Sequence, residues 1–169
     1  MGFLSNLFGK KEPDIEKLIQ DLSFQSPEIR ELQAKIYRME QDPVLLATGA
    51  AAAFAGLGRD PNATGPLAEL ARLKNRLSEA QKKEARIRAR AASNLGKLRN
   101  PKAVQPLIAA LGENSYEYVS LRLDIAKALG SIGDKEAIEP LNKLLQYDFN
   151  DSVRQAAQQA LELIQKANS

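Results

Sequence analysis

The chain has 169 residues, with 24 Lys and Arg against 21 Asp and Glu for a net charge of +3, and it contains no Cys, His or Trp. The missing Cys and His exclude disulfides, thiolate nucleophiles, imidazole metal ligands and a Ser-His-Asp triad. Ala (25) and Leu (24) greatly outnumber the 16 β-branched residues, which predicts an all-α chain.

The first twelve residues carry a short apolar stripe, in which Phe3, Leu4, Leu7 and Phe8 recur at helical spacing before Lys10-Lys11. Such a segment is typical of a cap over the end of a helical array or of a contact with a membrane surface. We favour the cap or a tail, because so short a stripe binds membranes only marginally. The residues match neither a secretory signal nor a membrane span, and we expect a cytoplasmic protein. We divide the chain into this segment, 1–12, and one repeat domain, 13–169.

Helical spacing and turn residues predict about nine helices downstream. Their expected ranges are 13–22, 27–39, 43–57, 66–77, 78–98, 101–111, 119–132, 137–145 and 151–164. The sequence from Ser78 to Gln81 fits a capping box and predicts a helix start there. Gly133-Asp134 predicts a turn, and Asn150 or Asp151 is expected to cap the last helix. We read the helices as one at the N-terminus followed by four pairs.

An internal repeat supports this pairing. The dipeptide Leu95-Gly96 recurs 34 residues later as Leu129-Gly130, and a further step of 32 leads to Leu161. The same two steps align three arginines: Arg88, Arg122 and Arg154. Weaker matches 40 residues upstream complete four units, each of which cannot bury its apolar face without its neighbours.

The repeated residues resemble HEAT repeats, specifically the short HEAT-like repeats of the phycobilisome lyase type. The residues that carry the resemblance are Ile87-Arg88, Ala91-Ala92, Leu95-Gly96 and Pro101, with Leu121-Arg122, Ile125-Ala126, Leu129-Gly130, Pro140-Leu141 and Asp151 to Ala157. The resemblance implies a right-handed α–α superhelix whose second helices build a concave, protein-binding face. The family often places Asp three residues before the repeated Arg, but only Asp151 and Arg154 fit that pattern here.

Charge is unevenly distributed along the chain. Residues 72–102 carry 11 basic and 2 acidic side chains, whereas the segments on either side are each net −3. A block of this kind is typical either of a solvated helix face or of a site for an acidic partner. Nucleic acid is less favoured, because no aromatic side chains interleave the block as stacking platforms.

Seven basic residues are the predicted partner contacts. They are Lys82, Lys83, Arg86, Arg88, Arg90, Arg122 and Arg154. The alternative for the repeated Arg88, Arg122 and Arg154 is that they bridge adjacent repeats and hold the stack together. For Arg86 and Arg90, whose counterparts are Ser120 and Asp124, recognition is the better interpretation, since non-repeated charge is not needed by every repeat.

The sequence therefore predicts a non-enzymatic adaptor that binds an acidic protein through the concave face and the basic middle repeat. No residue pattern indicates a catalytic group, a cofactor or a metal site. The alternatives are a bilin lyase subunit or phycobiliprotein-associated factor, which the resemblance implies, and a binder of nucleic acid or an anionic membrane surface. Four aromatic residues near the later turns are interpreted as fillers between repeats or as partner anchors. They are Tyr116, Tyr118, Tyr147 and Phe149.

Overall fold

The protein is described by a computed structural model that covers residues 14–45, 47, 65–112 and 115–169. Within these ranges the chain forms helices and no strand. The α-helices are α1 (Ile15–Leu22), α2 (Pro27–Glu40), α3 (Pro66–Leu98), α4 (Val104–Ala109), α5 (Val119–Ile132), α6 (Ile138–Tyr147) and α7 (Asp151–Ala167). Short 3-10 turns at Pro101–Ala103, Ala110–Gly112, Tyr116–Tyr118 and Lys135–Ala137 flank α4, α5 and α6.

Side-chain caps fix several of the helix starts. The Asp14 carboxylate accepts a hydrogen bond from the Glu16 amide at 3.0 Å and begins α1. The Asn150 side chain accepts from the amides of Ser152 and Val153 at 3.0 and 3.3 Å, which confirms the predicted cap of α7. These bonds satisfy amides that have no partner inside the helix.

Helix α3 differs from its prediction. The capping-box pattern at Ser78 was expected to start a new helix, but residues 66–98 form one continuous helix of 33 residues. The prediction of two helices is wrong because Leu67–Leu95 contains neither Gly nor Pro to interrupt the helix. The Ser78 hydroxyl instead donates to the Glu117 carboxylate at 3.1 Å.

The C-terminal half of α3 packs against α5, and α5 packs against α7, so that these three form one layer. Helices α1, α4 and α6 pack on α3, α5 and α7 respectively and form a second layer. The main core lies between the layers and is built from small and branched side chains. Its fully buried members include Ala92, Leu95, Leu107, Leu121, Ile125, Leu129, Leu141 and Ile164.

Two glycines bring the helices of the first layer unusually close together. A Cβ on Gly96 would lie 2.7 Å from the Ala128 Cα, and a Cβ on Gly130 would lie 2.7 Å from the Ala160 Cα. No real Cβ tolerates so short a separation from backbone. The glycine of each repeated Leu-Gly pair therefore lies at a helix crossing, where it faces an alanine of the next repeat.

The N-terminal half of α3 belongs to a smaller assembly with α2. Leu32 and Ile36 of α2 bury against Leu73 in a cluster separate from the main core. Three ion pairs join the same helices, Lys35 to Glu69 at 2.9 Å, Lys74 to Glu40 at 2.7 Å and Arg76 to Glu28 at 3.4 Å. The paired side chains are about half exposed, so solvent screens the attraction and the pairs contribute little to stability.

Helix α1 has a larger role than the predicted extra helix at the N-terminus. It packs on the C-terminal half of α3 and touches α4, and its Leu22 is 1% exposed within the main core. It thus occupies the position of a first helix for the repeat that contains Arg88. The pairing of 66–77 with 78–98 was wrong, because these residues are parts of one helix.

Other N-terminal predictions lie outside the described residues. They concern the stripe at 1–12 and most of the helix at 43–57. Among the helices that the structure describes, none has the length and apolarity needed to cross a membrane.

Candidate functional site

The repeated arginines of α3 and α5 lie inside the fold. Arg122 is 1% exposed, and its Nε donates to the Asp148 carboxylate at 2.5 Å while Nη2 donates to the second carboxylate oxygen at 3.3 Å. Its Nη1 donates to the Ser115 carbonyl at 2.9 Å. Asp148 follows the last residue of α6, so this bidentate pair ties α5 to the C-terminal end of α6 in the second layer.

Arg88 occupies the equivalent interior position one repeat earlier. Its Nε donates to the Leu22 carbonyl at 2.8 Å, and its Nη1 donates to the Glu84 carboxylate at 3.1 Å. Glu84 also accepts from the Ser26 amide at 2.6 Å and from the Tyr118 hydroxyl at 3.1 Å. The cluster therefore fastens α1 and the start of α2 to α3 and to the turn before α5.

Arg154, the third of the repeated arginines, is partly exposed. Its Nη1 donates to the Asp148 carbonyl at 2.6 Å, and Nη2 pairs with the Asp151 carboxylate. The expected contact between a repeat Asp and Arg three residues later is present here, while Asp148 and Glu84 supply the carboxylates for the other two arginines. Arg88 and Arg122 were among the predicted partner contacts, and that assignment is corrected because burial and internal bonding make them bridges between helices.

Some of the aromatic residues near the turns pack around the buried arginines, and others are exposed to solvent. Tyr118 is buried beside Arg88, whose guanidinium carbon lies 5.5 Å from the ring centre. Phe149 covers the Arg122 guanidinium at 4.9 Å and packs against Tyr116 with a centroid separation of 4.4 Å. Tyr147 remains 70% exposed. Tyr118 and Phe149 therefore fill space around the buried arginines.

A different set of cations faces solvent on α3. Lys83, Arg86, Arg90 and Lys97 are exposed, and their spacing of 3, 4 and 7 places them on one stripe of the helix. Fourteen residues of helix span about 21 Å. We call this set the α3 stripe. Lys83, Arg86 and Arg90 of the stripe were predicted from the sequence as partner contacts. Lys97 was not singled out, although its separation of seven residues from Arg90 was the available signal.

The α3 stripe borders a depression between α3 and α5, which we call the α3–α5 groove. Two adjoining hollows of about 480 and 380 Å³ make up the groove, and Ser93, Lys97 and Asp124 line both of them. Arg86, Arg90 and Ser120 line the first hollow, and Lys127 and Ser131 line the second. On the other side of the stripe, Lys83, Arg86 and Arg90 lie beside Asp21 of α1.

Ion pairing separates the stripe from the other basic residues of α3. Lys74 and Arg76 pair with carboxylates of α2, and the Lys82 ammonium pairs with Glu79 at 2.8 Å. Across the part of the chain that the structure describes, no carboxylate forms a salt bridge with any member of the stripe. The stripe therefore offers the cations best able to attract an external carboxylate or phosphate.

The groove contains guanidinium, ammonium and hydroxyl groups with one carboxylate, which is chemistry suited to recognition of charged groups. Among the described residues, no group of three or more carboxylates is arranged to hold a metal ion.

Comparison with known proteins agrees with this architecture. Residues 70–162, more than half of the chain, match the sequence profile of HEAT repeats. This chain belongs to the HEAT repeat family. The predicted family and the all-helical fold class are thus confirmed, and α5 and α7 are the helices predicted as the second members of their pairs.

Two relatives share one part of this HEAT repeat chain. Over 60 residues it is 48% identical to the bilin biosynthesis protein PecE of Mastigocladus laminosus, and the PecE of a Nostoc species matches to the same extent. The matched segment covers 36% of this chain but only 22% and 23% of the two relatives. The chain therefore spans less than a quarter of the length of these proteins.

Proposed function

We propose that this chain is a non-enzymatic HEAT repeat scaffold that binds an acidic surface of a partner protein in the α3–α5 groove. The observation that carries the proposal is the α3 stripe, whose exposed cations form no salt bridge with a described carboxylate. A solenoid buries its apolar surface between repeats, so such a row is not required to hold the stack together. Exposed cations of this kind steer association and set specificity.

Lys82 and Arg154 are weaker candidates for the contact surface. Lys82 already pairs with Glu79, and Arg154 bonds to Asp148 and Asp151 near the start of α7. The proposed surface is therefore narrower than the basic block as a whole, and it is centred on Arg86 and Arg90.

The test is a double charge reversal, Arg86→Glu with Arg90→Glu. The matched control is Lys102→Glu with Lys135→Glu, which makes the same change in net charge at exposed lysines of the turns before α4 and α6. Acidic proteins retained from a host extract by the native chain are identified and their affinities are measured across a salt series.

We expect the groove variant to lose at least about tenfold in affinity at low salt and to show a flatter salt dependence. The control should stay within about twofold of the native chain. Equal losses in both variants would mean that only net charge matters, and unchanged binding in the groove variant would overturn the proposal.

A second candidate function is a role in bilin biosynthesis, favoured by the identity shared with the two PecE proteins. On this proposal the chain acts as a bilin lyase subunit or binds a phycobiliprotein, and the acidic partner is the pigment-carrying protein or an enzyme that modifies it. Co-expression with a phycobiliprotein and a bilin source, followed by bilin absorbance on the purified protein, tests the idea. No copurification and no change in bilin attachment would contradict it.

A further inference from the structure

Asp124 is the one acidic residue among the described residues that line the α3–α5 groove. It projects from α5 into the middle of the groove and lines both hollows, between the levels of Arg90 and Lys97 on α3. Its side chain is partly buried. A carboxylate at this place divides the surface into cations on either side of a single anion.

The Asp124 carboxylate makes no polar contact that holds the described helices together. No salt bridge or side-chain hydrogen bond joins it to another residue in the described part of the chain. Burial raises the pKa of Asp124, and the attraction of Lys127 and Lys97 opposes that rise. The two lysines are thus near enough to act on its charge without satisfying its oxygens.

The repeat alignment separates Asp124 from the residues that hold the stack. The steps that align Arg88, Arg122 and Arg154 also align Arg90 with Asp124 and with Ala156. The first position is thus basic, the second acidic and the third apolar. A position that changes charge between neighbouring repeats does not serve a contact that every repeat needs.

We propose that the α3–α5 groove selects a protein segment with acidic side chains on both sides of one Lys or Arg. This inference rests on the proposed function and names the partner's charge pattern. Carboxylates of the segment bind Arg86, Arg90 and Lys97, and its central cation donates to the Asp124 carboxylate. In this pairing Arg86, Arg90, Lys97 and Asp124 each face a charge of opposite sign, whereas a like charge opposite any of them would weaken binding.

The same pattern selects against a polyanion. A nucleic acid carries a phosphate at every step of its backbone, so one phosphate would meet Asp124 wherever the strand lies along the groove. The described residues that line the groove are not aromatic, so the groove offers no stacking platform to offset that repulsion. An acidic segment of protein with one central cation is therefore the better fit.

Three helix-forming peptides of about 18 residues test the charge pattern. Each carries five charged residues on one face, at helical spacing. The first peptide has Glu at all five places, the second has Lys at the central place, and the third has Lys at the first place. The second and third have equal composition and net charge, and the central place is the same for either direction of binding. Affinities are measured by fluorescence anisotropy with the native chain, Asp124→Asn, and Arg86→Glu with Arg90→Glu.

We expect the native chain to bind the central-Lys peptide roughly two- to fivefold more tightly than the end-Lys peptide, the range for a partly exposed ion pair. Asp124→Asn should remove that preference and strengthen binding of the all-Glu peptide. Arg86→Glu with Arg90→Glu should weaken all three peptides, and thermal melts establish that each variant is folded.

The outcomes separate this inference from the proposed function. If the double reversal weakens every peptide but the position of Lys does not matter, the charge pattern is wrong and the basic groove still stands. If the double reversal has no effect, the proposed function fails as well. No binding of any peptide up to about 1 mM, or tighter binding of a single-stranded DNA of about 20 nucleotides, would also overturn the inference.

Discussion

The buried side of α3 and α5 and the side that lines the α3–α5 groove carry the same kinds of residue in different surroundings. Arg88 and Arg122 are enclosed, and each guanidinium bonds to a carboxylate and to a backbone carbonyl. Arg86 and Arg90 stand two positions from Arg88 on the solvent side. The arginines of α3 and α5 that recur at the repeat spacing hold the helices together. Arg86 and Arg90, which do not recur, are exposed and form no salt bridge with a carboxylate that the structure describes.

The two sides should respond differently to substitution. Removing one member of a buried ion pair leaves the other charge without compensation, which is strongly destabilising. An exposed charge contributes little to folding but affects the rate and specificity of association. Stability and binding measurements on matched positions can therefore test the division.

The largest effect is expected for Arg122→Ala. It leaves Asp148, which is 6% exposed, without its bidentate partner, and it leaves the Ser115 carbonyl without a donor. We expect a loss of about 3–5 kcal/mol in the free energy of unfolding, measured by urea denaturation. Arg90→Ala is the control and should change stability by no more than about 0.5 kcal/mol. Equal losses at the two positions would remove the distinction between the buried and groove sides.

The second prediction concerns the apolar part of the buried side. Leu129 is 0% exposed and belongs to the core between the two layers. Leu129→Ala should lower the free energy of unfolding by about 2–5 kcal/mol. Leu163→Ala, at a position that is 50% exposed, provides the control. A loss below about 1 kcal/mol at Leu129 would be too small for a fully enclosed leucine.

The third prediction tests the close approach between α5 and α7. The added methyl of Gly130→Ala would lie 2.7 Å from the Ala160 Cα, so the two helices must separate. We expect the free energy of unfolding, measured by urea denaturation, to fall by about 1–3 kcal/mol, which is typical of overpacking. Gly112→Ala places a methyl where, apart from its neighbours in the chain, no atom of the described residues lies within 4 Å, and it should have little effect on stability. A neutral Gly130→Ala would mean that the helix crossing adjusts at almost no cost.

Repeat spacing predicted the layer of second helices well. The recurring Leu-Gly pairs and arginines identified α5 and α7 and their inward positions, because packing against two neighbours imposes the same residue type in each repeat. Continuity of α3 was missed, since a capping-box pattern signals a helix start only when the residues before it leave the helix. The pairing of α1 with α3 was also missed, because more than 40 residues separate them in the sequence and no local pattern encodes that contact.

Prediction of the site was limited by side-chain direction. The sequence gives the net charge of the basic block. Whether a particular arginine points into the core depends on the phase of its helix and on hydrogen-bond acceptors that are distant in the sequence. The Leu22 carbonyl and Asp148 lie 66 and 26 residues from Arg88 and Arg122, the arginines they bind. The presence of Asp124 among the cations of the groove likewise depends on the packing of α5 beside α3.

The smallest expected effect is that of Asp124→Asn on folding, and its pH dependence tests whether the groove carboxylate has a partner within the fold. Burial raises the pKa of Asp124, so the ionised form is less favourable in the folded protein than in the unfolded chain. The asparagine variant lacks this cost and should be more stable at pH 7, by no more than about 0.5 kcal/mol because solvent screens a partly exposed group.

The sign of the pH dependence follows from the raised pKa. Below the ordinary Asp value of 3.8 the carboxyl is neutral in both the folded and unfolded states, so the native chain and Asp124→Asn should melt at nearly the same temperature. The difference should open as the pH rises through 3.8 and stay constant above the raised pKa. Thermal melts of both proteins between about pH 3 and pH 7 measure it. A native chain more stable than the variant at pH 7 would mean that Lys127 and Lys97 outweigh burial, which would make Asp124 part of the stack and remove it from the recognition surface.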